Sequence, residues 1–290
     1  MGTIIDRLEV VHGGWRARHS GLRLAVSAAK KCLHEADCDP DELDLLVNAG
    51  IYRDRNLGEP ALAALIQEDI GANSEDPHAG AHGTFSFDVA NGTCGVLTGL
   101  QIVDGFLRSR TIERALVVAS DADPGHGMSE HFPFTAAGGA MLCRWSDDDC
   151  GLGRFHWTSH RDGGESFSAT VGLRDAHNVL RFQQSESMDQ QFAQAAAEAA
   201  EGCLHDAGLS LADVDVIVAA PARPGFRAAL AGLLGVPVER VIVAGDDRLH
   251  TAALVAAFGD GLPPGTRALI VAAGAGVTAG AVIYREPPAG

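Results

Sequence analysis

The chain has 290 residues, 46% of them hydrophobic and 21% charged, a balance typical of a globular protein and not of a disordered one. Its 38 acidic and 22 basic side chains give a net charge of −16, which disfavours nucleic acid as a partner because the phosphate backbone is also anionic. The sequence contains no apolar run of the ~18 residues that a membrane span needs, and no secretory signal pattern at its start. Six singly placed cysteines then indicate reduced thiols, so we expect a cytoplasmic protein.

In chain order, the sequence predicts helices that alternate with buried strands. Ala, Leu and Val recur at helical spacing over 21–36, and a polar turn then leads to the apolar run DLLV. Two more helices, 59–70 and 94–108, precede the strands ALVVAS and GGAMLCR. After a polar stretch at 146–188 the pattern starts again, with helices over 189–207, 226–235 and 250–260 and strands at DVIV, ALIVAA and GAVIYR.

The second half of the sequence repeats the first. Residues 32–50 and 203–221 are identical at 7 of 19 positions, at a constant offset of 171. RALVVAS and RALIVAA form a further pair, and the pairs occur in the same order in both halves. Strands that alternate with helices imply sheets covered by helices. We therefore predict an internally duplicated α/β body with halves 1–145 and 189–290, joined by connecting strands and loops at 146–188.

Four strings carry a resemblance to a known family. FSFDVANGTCGVLTGLQIVDGFLRS at 85–109 resembles the nucleophile region of 3-oxoacyl-(acyl-carrier-protein) synthase III enzymes, in which a strand ending in Phe-Asp leads to a cysteine at the start of a buried helix. GWRARH at 14–19, EPALAALIQEDIG at 59–71 and AAGAGVTAGAVIYR at 272–285 resemble other parts of that family, in the family's order. The resemblance implies the thiolase-like fold, with five αβαβα layers.

The resemblance also implies an activity and its partners. It indicates an acyltransferase or condensing enzyme of fatty-acid-like or polyketide metabolism, which acts on acyl thioesters through a cysteine acyl-enzyme. The acyl donor is then acyl-CoA or an acyl carrier protein, with no resident cofactor and no metal. A homodimer, or a heterodimer with a related synthase, is expected. The family has a longer N-terminal stretch than the thirteen residues before GWRARH, so we expect a shorter or differently covered cofactor tunnel.

The nucleophile position differs from the family's pattern. A cysteine suits acyl transfer because its thiolate attacks thioesters well, and a helix N-terminus favours that anion. Cys94 lies near the start of the predicted helix, between glycines that permit a tight turn. Ungapped alignment from Phe87-Asp88, however, places Thr93 at the nucleophile position. Two interpretations stay open: a rebuilt turn presents Cys94 as nucleophile, or Cys94 is a small buried residue at a helix start.

The family's histidine and asparagine are also changed. The histidine position aligns with Ala220, which cannot titrate, and the asparagine position aligns with Leu249, next to His250. At an offset of 156, Cys94 pairs with His250, and the pseudo-twofold of a duplicated fold brings equivalent helix starts together. His250 is therefore a candidate for a Cys–His dyad with Cys94. The alternative is a histidine that only caps a helix start.

The remaining candidates are weaker. Glu59 stands where the family lines the acyl pocket from the neighbouring subunit, and is a candidate base or an ordinary helix-start carboxylate. The resemblance places an oxyanion-binding N–H at Ala275, followed by Gly276. The candidate contacts to the phosphates or pantetheine arm of the donor are three arginines, Arg16, Arg18 and Arg223. Two functions stay open: an acyltransferase, or a catalytically silent subunit paired with an active synthase.

Overall fold

The computed structural model describes residues 1–15, 17–73, 83–125, 127–161 and 164–289. Its helices are α1 Gly21–Glu35, α2 Leu62–Ile70, α3 Gly95–Arg108, α4 Met188–Ala207, α5 Pro224–Leu234 and α6 Ala253–Ala257. The strands before the second half are β1 Gly2–His12, β2 Leu45–Asn48, β3 Phe85–Asp88, β4 Arg114–Asp121, β5 Ala137–Ser146, β6 Gly151–Leu152, β7 His156–Ser159, β8 Phe167–Arg174 and β9 His177–Gln184. The last four strands are β10 Val216–Ala220, β11 Val241–Ile242, β12 Arg267–Gly274 and β13 Thr278–Arg285.

Two large sheets have the same strand order. The first runs β1-β5-β4-β2-β3, and the second runs β7-β13-β12-β10-β11, with the short β6 also on β13. In each sheet a central strand lies parallel to both neighbours, β2 between β3 and β4, and β10 between β11 and β12. An antiparallel hairpin, β4–β5 or β12–β13, closes each unit. The sequence repeat is therefore a repeat of one α/β unit, as predicted.

Three apolar clusters divide the molecule into five layers. Helices α1 and α2 pack on the outer face of the first sheet, and α4 and α5 pack on the outer face of the second. Helices α3 and α6 share one cluster with the facing sides of both sheets, so they form the central layer. This αβαβα arrangement is the thiolase-like fold that the sequence predicted.

Two equivalent carboxylates, one in each half, make the same kind of hydrogen bond to the neighbouring strand of their sheet. Asp44 accepts hydrogen bonds from the backbone N–H groups of Glu113 and Arg114, at 2.7 and 3.0 Å. Asp215, at the offset of 171, accepts one from the N–H of Arg267 at 2.8 Å. Each aspartate ties the entry of the central strand to the start of the neighbouring one. This bond supports the frame of the sheet and lies at the edge opposite the carboxyl ends of the parallel strands.

The structure differs from the predicted elements in two places. The first residues form the eleven-residue strand β1, although no strand was assigned there. The last predicted helix, 250–260, is helical only over Ala253–Ala257. The stretch 146–188, predicted as connecting strands and loops, supplies β6 and β7 to the second sheet and also forms the separate hairpin β8–β9. Among the residues that the structure describes, none of the helices has the length and apolar character needed to span a bilayer.

Candidate active site

A small cavity of about 40 Å³ lies where the two halves meet in the central layer. It is bounded by the turn that starts α3, the segment before α6, the turn between β12 and β13, and the hairpin β8–β9. Aromatic and aliphatic side chains make up most of its wall, and a few polar groups face one another across it. The lining residues are Thr93, Phe134, Phe167, Gln184, Met188, Phe192, Pro221, Arg223, Asp247, Leu249, His250 and Ala275.

Thr93 lies at the cavity wall in the turn that leads into α3. Gly92 has a positive φ of +49°, a conformation that glycine adopts without steric cost, and this turns the chain into the helix. The Thr93 hydroxyl donates a hydrogen bond to the carbonyl of Ala273 on β12. A Cβ at Gly274 would lie only 2.8 Å from that hydroxyl oxygen, so a glycine is needed for β12 to approach this closely. The second half thus fixes the position of Thr93.

Cys94 does not face the cavity. Its side chain is fully buried, and its thiol lies 3.4 Å from the carbonyl oxygen of Thr278 on β13. Burial raises the pKa of the thiol to about 12, so it stays protonated at neutral pH. The cavity wall includes Thr93 and His250 but not Cys94. The structure therefore does not bring the Cys94 thiol to His250 in this cavity, and the geometry gives the proposed dyad no support.

His250 is held on its backbone side by a carboxylate from the other half. Asp121, at the end of β4, accepts hydrogen bonds from the N–H groups of His250, Thr251 and Ala252 at 2.8 to 3.2 Å. The Thr251 hydroxyl donates a fourth bond to the same carboxylate, at 2.7 Å. A negative charge at the N-terminal end of a helix is favourable, because the unpaired N–H groups there need acceptors. Asp121 therefore sets the position of His250.

The imidazole of His250 lies among aromatic rings. It stacks on Phe134, with ring centroids 4.4 Å apart and planes at 10°, and lies 5.4 Å from the ring of Phe167. Its Nδ1 is 2.8 Å from the hydroxyl oxygen of Tyr52. On the opposite edge, a Cβ at Gly92 would lie 3.7 Å from Nε2. The pseudo-twofold thus brings His250 against the start of α3, at Gly92 and Thr93.

Burial controls the charge state of this pair. It lowers the pKa of His250, an effect that the charge of Asp121 only partly opposes, so the imidazole is neutral at neutral pH. Burial also raises the pKa of Tyr52 well above its ordinary value, so the phenol keeps its proton. The hydrogen bond between them therefore joins two neutral groups.

Two more of the predicted residues lie at the same cavity. Ala275 lines it beside Thr93, and Gly276 follows in the turn between β12 and β13 with a φ of +73°. Arg223 also lines the cavity, and its guanidinium pairs with Asp189 at 2.5 Å and remains 40% exposed. Asp247 is a further lining residue, so the polar groups of the cavity carry both signs of charge.

Glu59 and Arg18 do not line the cavity. Glu59 is exposed on the loop before α2, and Arg18 is exposed with its Nε 3.0 Å from a ring nitrogen of His19. Arg16 lies outside the described residues. Within the described ranges, no three His, Cys, Asp or Glu side chains are grouped in a way that could hold a metal ion.

Tyr52, Asp121 and the aromatic residues of the cavity were not predicted from the sequence. A signal for Tyr52 exists, because the offset of 171 that relates the two halves pairs it with Arg223, and both follow the central strand of their sheet. The packed rings of Phe134, Phe167 and Phe182, the first two of which line the cavity, had no such signal. These residues come from a loop and from a hairpin that has no counterpart in the repeat.

Comparison with known proteins shows what the chain resembles. No family model matches it. It is 29% identical over 284 residues to beta-ketoacyl-(acyl-carrier-protein) synthase III of Erythrobacter litoralis, covering 90% of this chain and 83% of the relative. The enzyme of the same name from Sphingopyxis alaskensis is 29% identical over 307 residues, covering 97% of this chain and 90% of the relative.

The solved structures give the same fold over the whole chain. FabH, the 3-oxoacyl-(acyl carrier protein) synthase III of Pseudomonas aeruginosa, matches with a TM-score of 0.80 at 20% identity, covering 99% of both chains. The priming beta-ketosynthase of a polyketide pathway matches with a TM-score of 0.80 at 19% identity, covering 99% of this chain and 97% of that one. The chain therefore has the thiolase-like fold. Its sequence is similar to those of beta-ketoacyl-(acyl-carrier-protein) synthase III enzymes.

Proposed function

We propose that this chain is an acyltransferase of the ketosynthase III type, which accepts an acyl group from a phosphopantetheinyl thioester in the cavity at the start of α3. One observation carries the proposal. The segment that corresponds to the family's nucleophile region contributes Thr93 to the cavity that His250 also lines, and a Cβ at Gly92 in that segment would lie 3.7 Å from Nε2 of His250. The similarity to synthase III enzymes over 90% of the chain supports this placement.

Thr93, and not Cys94, is the nucleophile in this proposal. The Thr93 hydroxyl donates its hydrogen to the carbonyl of Ala273, so the lone pairs of its oxygen are not used in that bond. A C–O bond forms between this oxygen and the thioester carbon while the C–S bond breaks. The hydroxyl proton ends on the departing thiolate, so the products are a threonine ester and a free thiol.

The thioester carbonyl needs donors where negative charge develops during this step. Nε2 of His250 lies beside the turn at Gly92, and Ala275 lies on the wall beside Thr93. Arg223 supports recognition of the donor, because its partly exposed guanidinium stands at the same cavity. The donor itself is coenzyme A or an acyl carrier protein, and the protein uses no resident cofactor.

The test is intact-mass spectrometry after incubation with a panel of acyl-CoA and acyl-carrier-protein thioesters. An acyl adduct is expected on the wild type and on Cys94→Ala, and its loss is expected in Thr93→Val, which keeps the shape of the side chain but removes the hydroxyl. The panel separates the two donors, because each is present in its own incubation. An adduct that is lost in Cys94→Ala would overturn Thr93 as the nucleophile and assign a cysteine acyl-enzyme.

A second candidate, a catalytically silent subunit, has its own support. The family's histidine position holds Ala220, and the cavity of about 40 Å³ has room for only a few water molecules. A protein that remains folded and shows no adduct with any donor would establish this function in place of the first. It would then be expected to bind and modulate a related active synthase.

We also propose that the chain forms a homodimer along β3. Among the residues that the structure describes, this strand is the last in its sheet and pairs with β2 alone, so its other edge has backbone groups available for pairing. Phe85 on this strand is 60% exposed, and Phe106 on α3 is also exposed. An apolar, unpaired strand edge fits a second copy of the same edge related by a twofold axis.

Light scattering coupled to size exclusion tests this assembly. Phe85→Asp is expected to convert the dimer to a monomer, because it places a charge in the apolar contact. Leu173→Asp is the matched control, since this leucine is 76% exposed on the hairpin β8–β9, and it should leave the mass unchanged. A monomeric wild type would reject the proposal. We infer a cytoplasmic location from the six free thiols of the chain.

A further inference from the structure

Tyr52 is buried directly behind the imidazole of His250. It follows β2 on the loop that leads towards α2, and only 3% of its surface is exposed. Its ring packs against Phe132 and Phe134, with centroids 5.0 and 5.7 Å apart, so the ring is held from two sides. Its hydroxyl oxygen is 2.8 Å from Nδ1 of His250. In the described part of the chain, this nitrogen is the single hydrogen-bond partner of that hydroxyl.

The direction of this hydrogen bond follows from the need of the phenol for an acceptor. Burial raises the pKa of Tyr52 well above its ordinary value, so its O–H hydrogen is retained and must be donated. An O–H group that is buried among phenyl rings without an acceptor is destabilising, because it loses its hydrogen bonds to water and gains none in return. Nδ1 is the acceptor within reach, and it can accept only if it carries no hydrogen. The single hydrogen of the neutral imidazole is then on Nε2.

We propose that Tyr52 is a positioning residue that holds His250 as the Nε2–H tautomer, so that His250 donates a hydrogen bond to the thioester carbonyl oxygen and does not act as a general base. The Nε2 edge faces the turn at Gly92, next to Thr93, where that carbonyl would lie. The stack on Phe134 fixes the plane of the ring. The identity of the acceptor rests on the proposed function, whereas the tautomer does not.

Tyr52 acts in this proposal through His250 and does not itself meet the substrate. Among the residues described at the cavity wall, His250 and Thr93 are present and Tyr52 is not. Loss of the Tyr52 hydroxyl therefore leaves the wall intact but frees Nδ1. The imidazole then exchanges between its two tautomers, and only one of them presents a donor to the cavity.

Nitrogen NMR of the imidazole side chains tests the tautomer without any substrate. In protein labelled with ¹⁵N histidine, the His250 signals are assigned by their absence in His250→Gln. At neutral pH the wild type should show the hydrogen on Nε2 and an unprotonated Nδ1. Tyr52→Phe should move both shifts towards the average of the two tautomers. Phe132→Leu, which changes the packing against Tyr52 but keeps its hydroxyl, should retain the wild-type pattern. A wild-type His250 with its hydrogen on Nδ1 would overturn the proposal.

Acyl transfer provides the second measurement. Tyr52→Phe should lower kcat by about tenfold with little change in KM, because the lost donor acts on the charge that develops in the transition state. Phe132→Leu should stay within about twofold of the wild type. An unchanged kcat in Tyr52→Phe would reject the positioning role. If the wild type transfers no acyl group but shows the Nε2–H signature, the proposed function fails and the tautomer assignment stands.

Discussion

The start of α6 and the equivalent start of α3 are completed by different groups. At α6, the carboxylate of Asp121 accepts three backbone N–H groups and a hydroxyl. The residue that corresponds to Asp121 in the repeat is Gly274, and in the described structure no side chain caps the start of α3. There the turn meets the cavity at Thr93, with β12 packed directly behind it.

This difference teaches how one duplicated unit makes a single site. A capped helix start is rigid and has its N–H groups satisfied, which suits the support of His250. Within the described residues, the start of α3 has no side-chain cap, and the turn before it places Thr93 at the cavity. The first half provides the cap and the second half provides the glycine. Neither half could form the cavity alone.

The largest expected effect is on the capped start. Asp121→Ala should lower the free energy of unfolding by about 4 kcal/mol, because four buried donors lose a charged acceptor. Urea unfolding at fixed protein concentration measures this. Asp123→Ala is the matched control on the same segment, where the carboxylate is only half-buried and binds Gly125 and Ser129, and about 1 kcal/mol is expected. A loss below about 1 kcal/mol for Asp121→Ala would mean that the cap is not a stabilising feature.

The second test compares the two halves at their matched aspartates. Asp44 is buried and accepts two backbone bonds, whereas Asp215 is exposed and accepts one. Asp44→Ala should therefore cost about 2 kcal/mol and Asp215→Ala less than about 1 kcal/mol, by the same urea measurement. Equal losses of unfolding free energy in the two variants would show that the difference in burial does not change what each aspartate contributes to stability. The two halves would then be similar in energy as well as in strand order.

The smallest expected effect is a pH dependence at His250. Its pKa is lowered by burial from an ordinary value of 6.5, so below that pH the unfolded chain binds a proton that the folded chain does not. Stability contributed by the neutral imidazole is therefore lost as the pH falls below about 6.5. Thermal unfolding at about pH 7 and about pH 5 should show a smaller loss in His250→Gln than in the wild type.

The control for this test is His205→Gln, because the His205 side chain is 90% exposed. It should lose as much stability as the wild type over the same interval. If His250→Gln behaves like this control, the buried imidazole is not a source of the acid sensitivity, and the environment of the cavity is wetter than the packing of its rings indicates.

The duplicated arrangement of helices and strands could be predicted from the sequence, because the helices follow from local patterns and the unit occurs twice. The match of 32–50 with 203–221 indicated two copies, and helical spacing located the main helices. The strand β1 was not predicted, because the N-terminal stretch was compared with that of the family in its length and not in its residue pattern. The helix α6 is shorter than predicted because residues 250–252 are spent in the turn that Asp121 caps.

The site could be predicted only in part, because it depends on which way side chains point after a turn. The sequence indicated that the start of α3 and His250 come together, and they do so at Gly92 and Thr93. The orientation that sends Cys94 into the core was not accessible, since adjacent residues at a helix start differ by about 100° in direction. Tyr52 depends on a contact between residues 198 positions apart. The domain boundaries at 145 and 189 stay a prediction.

The small volume of the cavity has a kinetic consequence. A volume of about 40 Å³ holds a few water molecules, whereas the elongated arm of a pantetheine thioester is far larger. Entry of such a donor therefore requires that side chains of the wall, which includes Phe167 and Phe192, move to enlarge the cavity. Rearrangements of this kind occur over microseconds to milliseconds, long compared with a rotamer change at the surface. Saturating the donor would then reveal an opening step that sets an upper limit on the rate of acylation.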